Sequence, residues 1–413
     1  MNVLGVRDQA SVVNDILRER LETLLPSLMR ETGLDMWVII CNEDNYDPVF
    51  TTLTPWEVWA PILQMVVFFD RGGSEGVERL NISITDLGEL VTPAWRLEEA
   101  EDQWARLHRI VVDRDPKRIG INQSDVIWAA DGLTATLKDK LVATLGDHYS
   151  RRLESAEHLC TRWLEARLPR ELALYEQACS IAHEVISTRF SRQVITPGVT
   201  TTDDLRWSYW QAVTDLGLQV SFPAFYRIER SPAGRALYGG SNVVQPGDLV
   251  HCDVGLKYLR LITDHQEMAY VLRPGETNAP PGLHEGISEA NRLQDIFVEC
   301  WSEGATGNEI LERALASAKA KRISKPKIYS HSLSHFLHEP GPLMGLPWEQ
   351  ENTGGRGEVR MRFDTCYTVE LSLTRAVPEW DGQEVRFALE QDASFTREGV
   401  TFIDGRQTTL HIL

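Results

Sequence analysis

Several well-separated segments carry side chains that could do chemistry together. Asp253 stands in the apolar run Leu249-Val-His-Cys-Asp-Val254, and Asp264 follows eleven residues later. Two strands joined by a short turn bring such a pair together. Ser330-His-Ser-Leu-Ser-His-Phe-Leu-His338 places His331, His335 and His338 within eight residues. Glu370 lies in the β-favouring run Tyr367-Thr-Val-Glu-Leu371, and Glu390 in Arg386-Phe-Ala-Leu-Glu-Gln-Asp392. Each motif alone has a plain alternative: aspartates favour turns, and a histidine-rich loop can be surface. Together they are harder to explain, because a charge in an apolar strand is costly to bury. Buried carboxylates need a compensating cation, and a pair of metal ions supplies one. Four oxygen donors and one imidazole, without thiolate, favour Mn²⁺, with Co²⁺, Fe²⁺ or Zn²⁺ as alternatives.

The elements that must position these residues are also legible. The chain has 413 residues, 42% apolar and 25% charged, which suits two globular domains. Val13, Ile16, Leu17, Leu21, Leu24, Leu25 and Leu28 recur at helical spacing, with Gly33 as a stop. Met36-Trp-Val-Ile-Ile-Cys41, Val66-Val-Phe-Phe69 and Arg118-Ile-Gly-Ile-Asn122 read as strands, giving an α/β first domain over residues 1–155. The second domain, residues 156–413, opens on a helix with the stripe Leu174, Ala178, Ile181 and Val185. His183 lies on its other face and reads as a surface residue. Thr306-x-x-Glu309 is a capping box opening a further helix. After Val243 the chain becomes strand-rich, and Pro246-Gly247-Asp248 is a turn before the Asp253 strand.

A formal charge of −18 disfavours nucleic acid and anionic membrane surfaces as partners. No apolar stretch approaches a membrane span, and residues 1–10 lack a signal-peptide core. Six widely spaced cysteines read as buried free thiols in a reducing, cytoplasmic setting. Asn81-Ile-Ser and Asn122-Gln-Ser then fit the glycosylation pattern by chance.

At the carboxylate and histidine segments the chain resembles the pita-bread metallohydrolases: methionine aminopeptidase, aminopeptidase P, prolidase and metal-free creatinase. That family's pattern is Asp, eleven residues to a second Asp, two His seven apart, then two Glu. Asp253, Asp264, His331 with His338, Glu370 and Glu390 stand at those positions. Pro246-Gly-Asp-Leu-Val-His-Cys-Asp-Val-Gly255 resembles the first segment, and His338-Glu339-Pro340 the start of His-Glu-x-Pro. The resemblance covers residues 160–413 by motif. The first domain resembles the non-catalytic domain of the creatinase, prolidase and aminopeptidase P branch. It implies a two-domain α/β fold, a creatinase-like N-terminal domain followed by an α+β pita-bread catalytic domain, in a homodimer. It further implies that Asp253 chelates one metal, Asp264 and Glu390 bridge both, and His331 and Glu370 complete the second. Glu370 would be the general base, and His338 would stabilise the tetrahedral intermediate. The expected function is a proline-type (Xaa-Pro) dipeptidase or aminopeptidase acting on a small peptide. A same-fold hydrolase or lyase acting on a non-peptide small molecule is the second reading, and a catalytically silent binding protein the third.

Four positions depart from the family. Its Gly-His-Gly-x-Gly loop is Ser330-His-Ser-Leu-Ser334 here. Glu267 stands where an arginine follows the second Asp, and Ala388 where an arginine precedes the last Glu. The histidine expected some seventeen residues before Asp253 is missing; Ala236 and Tyr238 occupy that neighbourhood. Arg386, His251 and His335 are the candidates to contact substrate in their stead. His251 shares a strand face with Asp253 and could line the pocket, ligate metal or support a ligand. His265 should face away and reads as structural. Trp56 and Trp59, in Thr54-Pro-Trp-Glu-Val-Trp59, are packing residues or close the pocket across a homodimer.

Overall fold

A computed structural model describes residues 3–56, 58–73 and 75–413. The contacts divide it into two compact units, Leu4–Ala166 and a second that holds Arg167–Leu413. In the first unit the apolar runs become β1 (Met36–Asn42), β2 (Leu63–Asp70) and β5 (Ile119–Ile121). Three shorter strands join them: β3 (Val77–Asn81), β4 (Thr92–Pro93) and β6 (Leu153–Ser155). The sheet order is β4-β3-β2-β1-β5-β6, with β1 antiparallel to β2 and parallel to β5. Helices Gln103–Arg114 and Ala135–Ser150 bury Leu107, Ile110, Leu137 and Leu141 against Val38, Ile40 and Val67. The N-terminal helical pattern is interrupted by one π-turn, Arg20–Leu24, and ends at Gly33, whose φ of 69° suits glycine.

The units divide beyond the residue-155 point read from the sequence, and Arg20 gives the reason. Its buried guanidinium donates to Ala166 O at 2.8 Å and to Trp163 O, and lies 4.5 Å from the Trp163 ring. That anchors the helix Glu157–Glu165 to the first unit. Asn81 and Asn122 are buried and hydrogen-bonded, Asn81 to Thr85 O at 2.6 Å and Asn122 to Asp47 at 2.9 Å. Neither side chain is presented for glycosylation. All six cysteines are free. No helix among the described residues is long and apolar enough to cross a membrane.

In the second unit the strands are β7 (Gln219–Val220), β8 (Phe225–Glu229), β9 (Leu249–Val254), β10 (Leu256–Tyr258), β11 (Leu261–Ile262) and β12 (His265–Tyr270). There follow β13 (Lys327–Ile328), β14 (Ser330–Ser332), β15 (Glu339–Met344), β16 (Thr365–Thr368), β17 (Leu371–Val377), β18 (Gln383–Leu389), β19 (Asp392–Thr396), β20 (Gly399–Phe402) and β21 (His411–Ile412). Their sheets run β11-β10-β7, β21-β12-β9-β8, β13-β17-β18 and β15-β14-β16-β19-β20. The helix Pro281–Val298 lays Leu283, Ile287, Leu293 and Phe297 into the core that includes Leu371, Leu373, Phe387 and Leu389. Burying each such side chain contributes about 1.5–3 kcal/mol. The Thr306 capping box forms as read: Thr306 Oγ1 accepts from Glu309 N at 3.2 Å, and Glu309 Oε2 accepts from Thr306 N at 2.9 Å.

Two local expectations change. The link between Asp253 and Asp264 is a second hairpin, β10–β11, rather than one short turn. Its tip, Leu259 and Arg260, has φ of 52° and 64°. The run around Glu370 is also not one strand: β16 ends at Thr368 and β17 begins at Leu371, leaving Glu370 in the break.

Candidate metal centre

Strand pairing brings the predicted residues to one place. Asp253 on β9 lies opposite Gln266 on β12, and Asp264 immediately precedes that strand. A two-way backbone bridge, Gln266 N to Glu390 O at 3.0 Å and Glu390 N to Gln266 O at 3.1 Å, fixes the segment between β18 and β19 beside β12. Tyr329 N donates to Glu370 O at 3.0 Å, holding the break next to the His331 segment. Gly255, directly after β9, permits the close approach. A Cβ there would lie 2.1 Å from Thr263 O and 2.2 Å from Ser221 Oγ.

Asp264, His331 and Glu390 each offer one donor atom within 4.8 Å of the others, all buried. His331 Nε2 lies 3.8 Å from Asp264 Oδ2. His331 Nε2, Asp264 Oδ1 and Glu390 Oε1 are buried without a hydrogen-bond partner among the described residues, which a cation would supply. Burial drives the carboxyl groups of Asp264 and Glu390 well above their ordinary range, followed by repulsion from Asp253 on Asp264 and from Asp264 on Glu390. Burial and then Asp253 push Glu370 up to about 8. Burial pushes Asp253 up to about 6, opposed by Arg386 and Arg227. Burial, then His338, holds His331 well below its usual value, so its imidazole is neutral and able to ligate. Oxygen-rich, nitrogen-containing and short of positive charge, this set fits divalent metal ions.

The other predicted residues fall in different surroundings. His338 is exposed, its ring in edge contact with His331 at 4.6 Å between centroids. Arg386 is exposed and lines a cleft of about 280 Å³ with Glu370, Tyr329 and Lys327. His251 does not face that cleft. It is 3% exposed, and its Nε2 is 2.9 Å from Gln266 Oε1. Burial and Arg227 lower its pKa to about 3, so the neutral ring donates to the amide oxygen. His335 lies against Arg167, Nε2 to Nη1 at 3.3 Å, while its backbone N donates to Glu339. His183, read as a surface residue, is instead pinned, Nδ1 to Asp404 at 2.8 Å and Nε2 to Gln391 at 3.2 Å.

The departures from the family also find their partners. Ser330 Oγ donates to Thr368 O at 2.5 Å and Ser334 Oγ to Glu339 at 2.6 Å, so hydroxyls pin the segment. Glu267 points to the far face of β12, where it pairs with His411. Gln266 was not apparent from the sequence. Its Nε2 donates to Glu370 Oε1 at 2.7 Å and to Glu390 Oε2 at 2.8 Å, bridging two of the carboxylates. Its distance of two residues from Asp264, hence on the same strand face, was the available signal.

The sequence profile of metallopeptidase family M24 matches residues 173–400. The chain belongs to metallopeptidase family M24. M24 membership makes it a metallohydrolase of the pita-bread fold. Among solved structures, the X-Pro aminopeptidase of Thermotoga maritima MSB8 is similar at 16% identity and TM-score 0.65, covering 94% of this chain and all of that one. The Xaa-Pro dipeptidase of Bacillus anthracis matches at 16% identity and TM-score 0.62, covering 98% and 100%. The N-terminal domain of FACT complex subunit SPT16 from Cicer arietinum shares the fold at 10% identity and TM-score 0.59, covering 96% and 98%. No curated protein matches the M24 chain by sequence.

Proposed function

We propose that this M24 chain is a dinuclear hydrolase that cleaves the amide bond preceding proline in a dipeptide or peptide N-terminus. The observation that carries the reading is the convergence of Asp264, His331 and Glu390, with Glu370 opening onto a cleft beside Arg386. Asp253, Asp264, His331, Glu370 and Glu390 would hold two divalent ions, Mn²⁺ first. Bound there, the metal pair supplies Lewis-acid activation of water and of the scissile carbonyl. Glu370 then takes the proton of the attacking water and delivers it to the leaving nitrogen. His338 donates to the developing oxyanion. Arg386, with Lys327 and Lys325 on the same cleft wall, receives a substrate carboxylate. His251 acts through Gln266 rather than on substrate. Free, mostly buried thiols support a reducing, cytoplasmic setting.

The test uses the full chain, stripped with chelator and reloaded with Mn²⁺. Xaa-Pro dipeptides, longer Xaa-Pro peptides and proline-free dipeptides are compared. Metal-dependent cleavage before proline is expected. Cleavage of none of them by fully loaded protein would overturn the peptidase reading in favour of a non-peptide small molecule. That second reading draws on Glu267, which faces away from the site and leaves the family's arginine contact unmade.

A further inference from the structure

Behind β12 lies a second group of donors that the reaction does not use. Cys179 on the helix Pro169–Arg189, His265 at the start of β12 and Asp392 at the start of β19 each bring one donor atom within 4.8 Å of the others. All three side chains are fully buried. Strand alternation turns His265 away from Asp264 and Gln266, so this group is separate from the carboxylate cluster. Cys179 Sγ donates weakly to Asp392 Oδ2 at 3.4 Å, and Asp392 accepts the Asp264 backbone N–H at 3.3 Å. Among the described residues, neither ring nitrogen of His265 has a hydrogen-bond partner. Its neighbour is the His183 ring, edge-on at 4.5 Å between centroids. His183 is engaged by Gln391 and Asp404, and Glu267 by His411. An imidazole buried with both nitrogens unmet and grouped with a thiol and a carboxyl has the form of a metal-ligand set.

The geometry points to a third metal site, formed by Cys179, His265 and Asp392, for a borderline-soft divalent ion such as Zn²⁺. One sulfur, one nitrogen and one oxygen suit zinc and disfavour Mn²⁺ and Mg²⁺. The charges also close. Thiolate and carboxylate together carry −2, which neutralises the ion within a dry interior, and binding releases the protons that those groups held. With bonds of about 2.0–2.3 Å, tetrahedral ligand atoms stand about 3.5 Å apart, so a modest closure of the three side chains completes the site. Water supplies the fourth position, since both nitrogens of the adjacent His183 are engaged. His265 follows Asp264 directly, and Asp392 lies two residues beyond Glu390. An ion here therefore braces, from behind, the two segments that carry these carboxylates.

Titration of the chelator-stripped full chain with Co²⁺, under a thiol-free reductant, reads the site directly. A sulfur-to-cobalt charge-transfer band is expected, saturating at one equivalent and surviving an excess of Mn²⁺. Cys179→Ser should abolish the band while two ions still bind. Glu390→Gln should weaken the carboxylate cluster yet keep the band, so failure of the dinuclear reading and failure of this one are told apart. Absence of any band in the parent chain, or its persistence in Cys179→Ser, would overturn the proposal. Should Cys179→Ser not fold by circular dichroism, X-ray absorption of the zinc-loaded parent decides. A sulfur scatterer at about 2.3 Å supports the site, and a shell of nitrogen and oxygen alone overturns it.

Discussion

Glu370 meets Gln266 on one side and the cleft on the other, and both relations are open to test. Replacing it with Gln keeps the shape but removes the proton acceptor. Turnover should fall by about 10²–10⁴-fold in steady-state assays, with an unchanged circular dichroism spectrum. The same carboxyl sets a pH dependence in metal-free protein. Its folded value of about 8 exceeds the ordinary 4.5, so the folded state holds this proton more tightly. The stabilisation is complete below about pH 4.5 and is lost as pH rises through about 8. Thermal midpoints of the metal-free chain should therefore fall more steeply over that range than those of Glu370→Gln. Added Mn²⁺ should reverse the trend, because the ion takes the proton's place. The convergence of Asp264, His331 and Glu390 was legible because Asp, His and Glu at fixed spacing are uncommon in apolar strands. Gln266 was not legible: an amide carries no charge signature, and its role depends on which carboxylates the fold sets around it. His183 was misread for a related reason. Helical periodicity gives a face, and the partners of that face, Gln391 and Asp404, lie more than 200 positions away in sequence.

At the scale of elements, the β9–β12 seam carries Asp253 and Gln266 and leads in from Asp264, and Gly255 lets it close. A methyl group at Gly255 would meet the Thr263 carbonyl, one residue from Asp264. Gly255→Ala should cost about 1–3 kcal/mol in denaturant unfolding and lower metal stoichiometry together with it. Unchanged stoichiometry would mean that the seam does not position Asp264. Strand β9 was legible to the residue because an apolar run bounded by a Pro-Gly turn defines its own ends. The break at Glu370 was not, since Tyr367-Thr-Val-Glu-Leu371 has β-favouring residues throughout. Backbone bonds from Val369 N to Gln391 O and from Tyr329 N to Glu370 O decide where one sheet yields to the next. Strands as short as β4 and β6 owe their existence to the neighbours they pair with, which no local pattern announces.

Over the whole chain, one composition conceals two units with separate cores. The first carries an indole, Trp59, that is 65% exposed, while Trp56 is half-buried with its backbone N donating to Asn14. If these tryptophans close a homodimer, replacing both with alanine should lower the sedimentation coefficient and raise KM. Identical values for both would leave them as packing residues. If Asp253, Asp264, Glu370 and Glu390 hold two divalent ions as proposed, part of the −18 formal charge is theirs and the effective balance comes nearer −14. The segment that opens the second unit is firmly held within that unit. Arg167 N donates to Asp364 O at 2.7 Å, and its guanidinium to Glu171 at 2.8 Å, with the side chain almost fully buried. Anyone wishing to express the metal-binding half by itself should therefore begin upstream of Arg167. A fragment that starts after it would lose a buried cation and leave Glu171 without this partner, a defect at its very first turn that no amount of metal would repair.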